Sequence, residues 1–211
     1  MASIDIRTGA VTRNDTDFGT AVGDKYGQLV VVGGGGQYRE AAYRGRVFSG
    51  ANQGPGGTTT TVGLATTYTG LALSNPANST VNLSLLHVGC SVVGAPVALS
   101  TIGLMAGYTA AGVVTHTTPL VANCTKWGLN AGVAQGKIDA AATLTNTPVV
   151  IHSFGTMPIT GATAQVVNAP FTGISYDVNG AIVLQPGAHV ALYTSTVLTV
   201  IASFMWEEIP A

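Results

Sequence analysis

Between Val47 and Trp206 the chain carries only four charged side chains, Lys126, Lys137, Asp139 and Asp177. Long helices and coiled coils are built from Glu, Lys, Arg and Leu and turn a charged face to water. A stretch this poor in ions cannot be a helical bundle. It holds β-branched runs punctuated by nine prolines, from Pro55 to Pro210, whose gaps are mostly 10 to 24 residues. Proline breaks a helix interior and is tolerated at strand ends and turns, so that spacing punctuates strand pairs.

The runs are 58–73, 81–93, 98–108, 113–118, 140–154, 171–176, 181–184, 189–194 and 197–206. In the last, Leu198, Val200, Ala202, Phe204 and Trp206 fall on one face and are all apolar. Val197, Thr199, Ile201, Ser203 and Met205 make a mixed opposite face. Asp177-Val178-Asn179-Gly180 carries the Asn-Gly signature of a tight turn and predicts a hairpin of 171–176 with 181–185. Asn75-Pro76-Ala77-Asn78 predicts a second turn. Residues 131–142 have a helix-like composition, but Gly132, Gly136 and the lack of caps argue against a helix. Eight or so short strands predict an all-β fold, a β-sandwich or jelly roll, preceded by an extended N-terminal arm.

The arm holds the charges. Eleven of the chain's 17 lie at or before Arg46, six positive and five negative. Composition therefore divides the chain into an arm (1–49), a Gly-rich linker (50–57) and a β-body (58–211). The arm lacks a periodic apolar face and gains order by lying on a partner. Its Arg7, Arg13, Asp15, Asp17, Lys25, Tyr38, Arg39, Glu40, Arg44 and Arg46 are the candidate partner-binding residues. The body, nearly free of ions, has little electrostatic repulsion against a second copy.

Several classes are excluded or left unsupported. With 46% hydrophobic residues and a net charge of −1 the chain is not disordered and has no basic excess for nucleic acid. The N-terminus lacks the apolar core of a signal peptide, and 197–206 is too short and polar to span a bilayer. The chain thus reads as made in a cytoplasm, with no membrane partner. Two cysteines, Cys90 and Cys124, are too few for a disulfide scaffold, and spacing leaves their pairing open. Leu29 to Tyr38 looks like a strand entering a dinucleotide loop, but Tyr38 stands where the third glycine is needed and no βαβ unit follows. His87, His116, His152 and His189 form no short-spaced pair with each other or with a cysteine, so no metal motif is present. The body's carboxylates are Asp139, Asp177, Glu207 and Glu208, and no acid–base pair is visible among them. No cofactor is implied, and the expectation is a protein that is not an enzyme. Trp127, Trp206 and the tyrosines could form a carbohydrate platform, although Trp206 fits a core position better.

Asp17-Phe18-Gly19-Thr20, Tyr26-Gly27-Gln28-Leu29-Val30-Val31, and the closing Gly187 to Thr194 and Trp206-Glu207-Glu208 resemble small virion proteins of tailed bacteriophages. Within that group the chain most resembles capsid decoration (cement) proteins. The resemblance implies a β-sandwich body that sits as a homotrimer on the outer shell. It also implies binding to the major capsid protein lattice after the shell forms, bridging neighbouring capsomers. A tail or head fibre that recognises a host glycan is the alternative within virions. A small jelly-roll enzyme would need His87, His152 and His189 to converge, and a secreted adhesive module would need a signal peptide.

Overall fold

In the computed structural model, which describes residues 38–52, 57–94, 98–110, 114–128, 133–157 and 173–211, a short helix leads into twelve strands. The helix is α1 (Arg39–Tyr43). The strands are β1 (Val47–Ala51), β2 (Thr58–Thr59), β3 (Thr67–Ser74), β4 (Val81–Val92), β5 (Ser100–Tyr108) and β6 (Thr115–Leu120). They continue with β7 (Asn123–Cys124), β8 (Lys137–Thr143), β9 (Val149–Met157), β10 (Gly173–Leu184), β11 (Ala188–Thr194) and β12 (Thr199–Pro210). All the described strands lie within residues 40–211.

The protein is an all-β sandwich. One antiparallel sheet runs β10-β4-β12-β1-β7, with β2 also pairing with β12, and the other runs β6-β8-β3-β11-β5-β9. The single-faced pattern of the last run is realised: Leu198, Val200, Ala202, Phe204 and Trp206 are buried, and Val197 and Ile201 on the other face are exposed. They meet Leu71 and Leu73 of β3, Ile102 and Leu104 of β5, and Val190 and Leu192 of β11 in one core. Burying side chains of this size contributes about 1.5–3 kcal/mol each before chain entropy is charged against it.

Strand β4 shows how a twelve-residue strand keeps facing that core. Leu83 and Leu85 point inward, and then Val88 and Cys90 do. A strict period of two would turn the second pair outward. The register against β12 passes from Trp206↔Leu85 to Met205↔His87, so Leu86 is an extra residue that resets the phase.

Four sequence expectations change. The composition boundary places 47–51 in the arm and linker, yet β1 is an internal strand between β12 and β7, with Val47 and Phe48 buried. The sandwich therefore begins earlier than the shift in charge. Asn52, also in the expected linker, fills the gap between β1 and β2. Its side-chain amide donates to Val200 O at 2.8 Å and accepts from Ala202 N at 2.5 Å, and its backbone N–H donates to Ala202 O at 3.2 Å. The run 140–154 is two strands, β8 and β9, joined by a turn at Leu144–Pro148. Residues 173–184 are not a hairpin: Tyr176 and Asp177 pair with Val88 and His87, and Ile182 and Val183 pair with Leu85 and Ser84. The chain therefore keeps its direction, and Asn179 (φ 53°) and Gly180 (φ 79°) form a bulge within one strand.

The Asn75–Asn78 turn carries the chain from one sheet to the other, and Asn75 fastens that corner. Its buried amide donates to Val81 O (2.7 Å) and Leu184 O (2.9 Å), and its backbone bonds Ala188 O and Gly187 N, both at 2.9 Å. Asn75→Ala strands two carbonyls, a loss partly offset because Asn75 Oδ1 is itself unpartnered. The expected cost is about 1–2 kcal/mol, seen as a lower urea midpoint at unchanged slope.

Candidate functional site

Of the expected partner-binding residues, Arg7, Arg13, Asp15, Asp17 and Lys25 lie outside the described residues. Tyr38 precedes α1, Arg39 and Glu40 open it, and Arg44 and Arg46 follow it. The helix stops at Gly45, whose positive φ of 73° lets its N–H return to Ala42 O at 3.0 Å. Arg46 then delivers the chain into β1, and its guanidinium lies 3.4 Å from Glu207 Oε1. An ion pair this open to water adds little stability. Its effect is to hold the guanidinium at the rim.

Strand β7 brings a second segment to the same place. Thr125 N donates to Val47 O at 2.9 Å, and Cys124 Sγ reaches Gly45 O at 3.7 Å. Lys126 Nζ consequently lies 4.7 Å from the centroid of the Tyr43 ring, a cation–π contact. Tyr43 is 65% exposed, and the adjoining Trp127 is 87% exposed. Tyr43 and Lys126 thus meet beside β1 and β7, Arg44 and Trp127 adjoin them in the chain, and Arg46 pairs with Glu207; together these residues make a candidate cationic, aromatic rim. Exposed tryptophan, tyrosine and arginine are the residues that dominate protein–protein binding energy. The sequence expectations name Arg44 and Arg46 as partner-binding residues and Trp127 only as part of a carbohydrate platform, and they give neither Tyr43 nor Lys126 an individual role. The available signal was a lone Lys-Trp pair in a run otherwise free of charge.

The histidines are dispersed. His87 on β4 bonds Ser175 Oγ at 2.9 Å, with the Asp177 carboxylate 3.9 Å away. His152 on β9 stacks on Tyr176 at 4.5 Å, with Phe154 5.2 Å from each ring, and these three line the side of the sandwich between β9 and β10. His189 on β11 is fully buried, and neither ring nitrogen has a partner. A Cβ added at Gly107 would come within 2.6 Å of that ring, so only glycine leaves room for it. Burial lowers the His189 pKa from 6.5 to about 4.

His116 and Asp139 make the tightest acid–histidine pair. His116 Nδ1 and Asp139 Oδ2 are 2.7 Å apart across the β6–β8 ladder. The Asp139 side chain is wholly buried, and its Oδ1 has no partner. Burial raises its pKa and the bond to His116 works against that rise. The arrangement can orient an imidazole, as an acid–base couple requires. No hydroxyl or thiol among the described residues is hydrogen-bonded to His116. Nor do three His, Cys, Asp or Glu side chains among the described residues gather as a metal ion would need. Cys90 and Cys124 are buried free thiols, and burial pushes the Cys90 pKa up to about 12. Among the described residues no helix is long and apolar enough to cross a membrane. In comparison with known proteins, the chain matches no family model, no curated protein and no solved structure.

Proposed function

We propose that the chain is a structural virion protein: a capsid decoration (cement) protein, made in the host cytoplasm, that binds the outer shell as a homo-oligomer. The observation that supports this reading most directly is the cationic, aromatic rim of Tyr43, Arg44, Arg46, Lys126 and Trp127 on an otherwise nearly ion-free sandwich. A body with so few charges costs little to bring against another protein surface, since neutral polar groups are cheaper to desolvate than ions. The rim supplies aromatic anchors and positive charge for a partner surface bearing carboxylates, which the lattice of a major capsid protein would provide. Binding across capsomer junctions would oppose the outward pressure of packaged DNA.

Co-sedimentation of the purified chain with preformed capsid shells tests this. Wild-type protein is expected to pellet with the shells, and Trp127→Ala to weaken binding at least tenfold, about 1.4 kcal/mol or more. Trp127 is almost fully exposed, so its removal leaves the thermal midpoint unchanged and the two effects separate. No binding to shells, or equal binding by the variant, would remove the proposed docking role. The exposed Trp127 favours one second reading, a tail or head fibre in which the indole stacks on a host sugar. Binding to host cells but not to shells would establish that reading instead.

A further inference from the structure

A sheet edge offers a row of unpaired backbone donors and acceptors, and soluble proteins guard it with charge, proline, a bulge or shortness. Among the described residues, three of the four outermost strands are guarded in these ways. β10 has Asp177 beside its Asn179-Gly180 bulge, β6 contains Pro119, and β7 is two residues long. The fourth, β9, carries neither charge nor proline. Its two register shifts against β5 fall at Ile151 and Phe154, and ahead of them Val149 and Val150 keep regular register with Ala106 and Met105. At that start stand Val149, Val150 and Ile151, exposed by 62%, 44% and 41%. A groove of about 800 Å³ runs beside them toward Ile182 and Val183 of β10.

We infer that β9 is the contact between two copies of this chain, paired antiparallel with itself about a two-fold axis at Val150. This rests on the reading above that copies of the chain associate, and it adds where they meet and with what symmetry. Three observations select a second copy as the occupant. The exposed segment is neutral, so two copies meet without like-charge repulsion. One register satisfies it: with Val150 opposite Val150, Val149 faces Ile151 of the other copy, and aliphatic meets aliphatic at all three positions. A shift of one residue puts Val149 opposite His152 or, in the other direction, Ile151 opposite Pro148 beyond the start of the strand. Finally, the other edges among the described residues are guarded, so there β9 has no different edge of a neighbour to join, as a ring of three would require. The contact is therefore isologous and yields a pair, not the trimer expected from the resemblance. It merges the two β9-bearing sheets into one continuous sheet.

The test is disulfide trapping in the full-length chain. Directly opposed residues of an antiparallel pair have Cα atoms about 4.5–5.5 Å apart, within disulfide range. Cys90 and Cys124 are buried, so an introduced edge thiol is the accessible one. Val150→Cys is expected to form a covalent dimer under mild oxidation as the main product. Ser153→Cys, which the register places far from its symmetry mate, is expected to form no covalent dimer. By light scattering the wild type is expected at twice its 21.3 kDa chain mass. Val150→Lys is expected at one chain mass with an unchanged far-ultraviolet spectrum. A monomeric wild type would overturn both this inference and the reading of self-association. An oligomeric wild type, trimer included, in which Val150→Cys does not cross-link or Ser153→Cys cross-links equally, would overturn the β9 contact alone.

Discussion

Trp206→Ala is expected to destabilise the protein by about 3–5 kcal/mol, the range for removing a large aromatic from a packed core. The indole is fully buried at the centre of β12 and lies 6.1 Å from the Phe48 ring of β1, stacked at 27°. It also fills space up to Gly136, where an added Cβ would stand 3.0 Å from Nε1. Its loss has a polar consequence too. Trp206 Nε1 donates to Glu208 Oε1 at 3.4 Å, and the same oxygen accepts from Gly136 N at 2.9 Å. The variant leaves a buried carboxylate with one donor fewer, beside a cavity. For a unit of this size the thermal midpoint should fall by about 10 °C or more. Trp206→Phe keeps most of the volume and is expected to lose less than half as much. Equal losses for the two variants would place the energy in the Nε1–Glu208 bond and not in packing.

Acid is expected to weaken the fold through His189. The unfolded histidine takes a proton near pH 6.5, but in the folded chain its buried, unpartnered ring resists until about pH 4. Between those values the unfolded state binds more protons, so stability rises with pH across the window and is lost as pH falls through it. At about 1.4 kcal/mol per pH unit the loss is on the order of 3 kcal/mol. Asp139 acts in the opposite sense. Its raised pKa means that the folded chain takes up its proton more readily than the unfolded one, which favours the fold as pH falls. Comparison with His189→Leu isolates the histidine. The variant is expected to be at least as stable as wild type at pH 7, because two buried nitrogens without partners are replaced by carbon. The gap between the proteins should widen in the variant's favour toward pH 4. Denaturant curves from pH 7.5 to 4 measure it, and parallel profiles would acquit His189.

The outer logic of the sandwich was legible in β12 because its alternation runs unbroken from Leu198 to Trp206. It was less legible in β4, where the extra Leu86 resets the phase and both Leu85 and Leu86 are buried. The Asn179-Gly180 pair carries hairpin chemistry in its backbone angles, yet the flanks share one neighbour, and only pairing reveals that. β1 was hidden because charge changes at Arg46 and sheet membership does not. The two arginines of the candidate rim were readable, since composition marks them. Tyr43 and Lys126 are far apart in sequence and meet only because β7 pairs with β1. His116 and Asp139 likewise meet through the β6–β8 ladder and share no local pattern.

The place of β12 also governs when the molecule can exist. It lies between β4 and β1, and Asn52 closes the β1–β2 gap only by bonding to Val200 and Ala202, about 150 residues later. Until residues 199–210 leave the ribosome, β4 and β1 each present a bare strand edge and an unfilled apolar face. The nascent chain therefore has no stable partial sandwich to rest in, and folding that depends on such distant pairings is slow. A chain truncated before Thr199 is exposed to proteases and to its own kind.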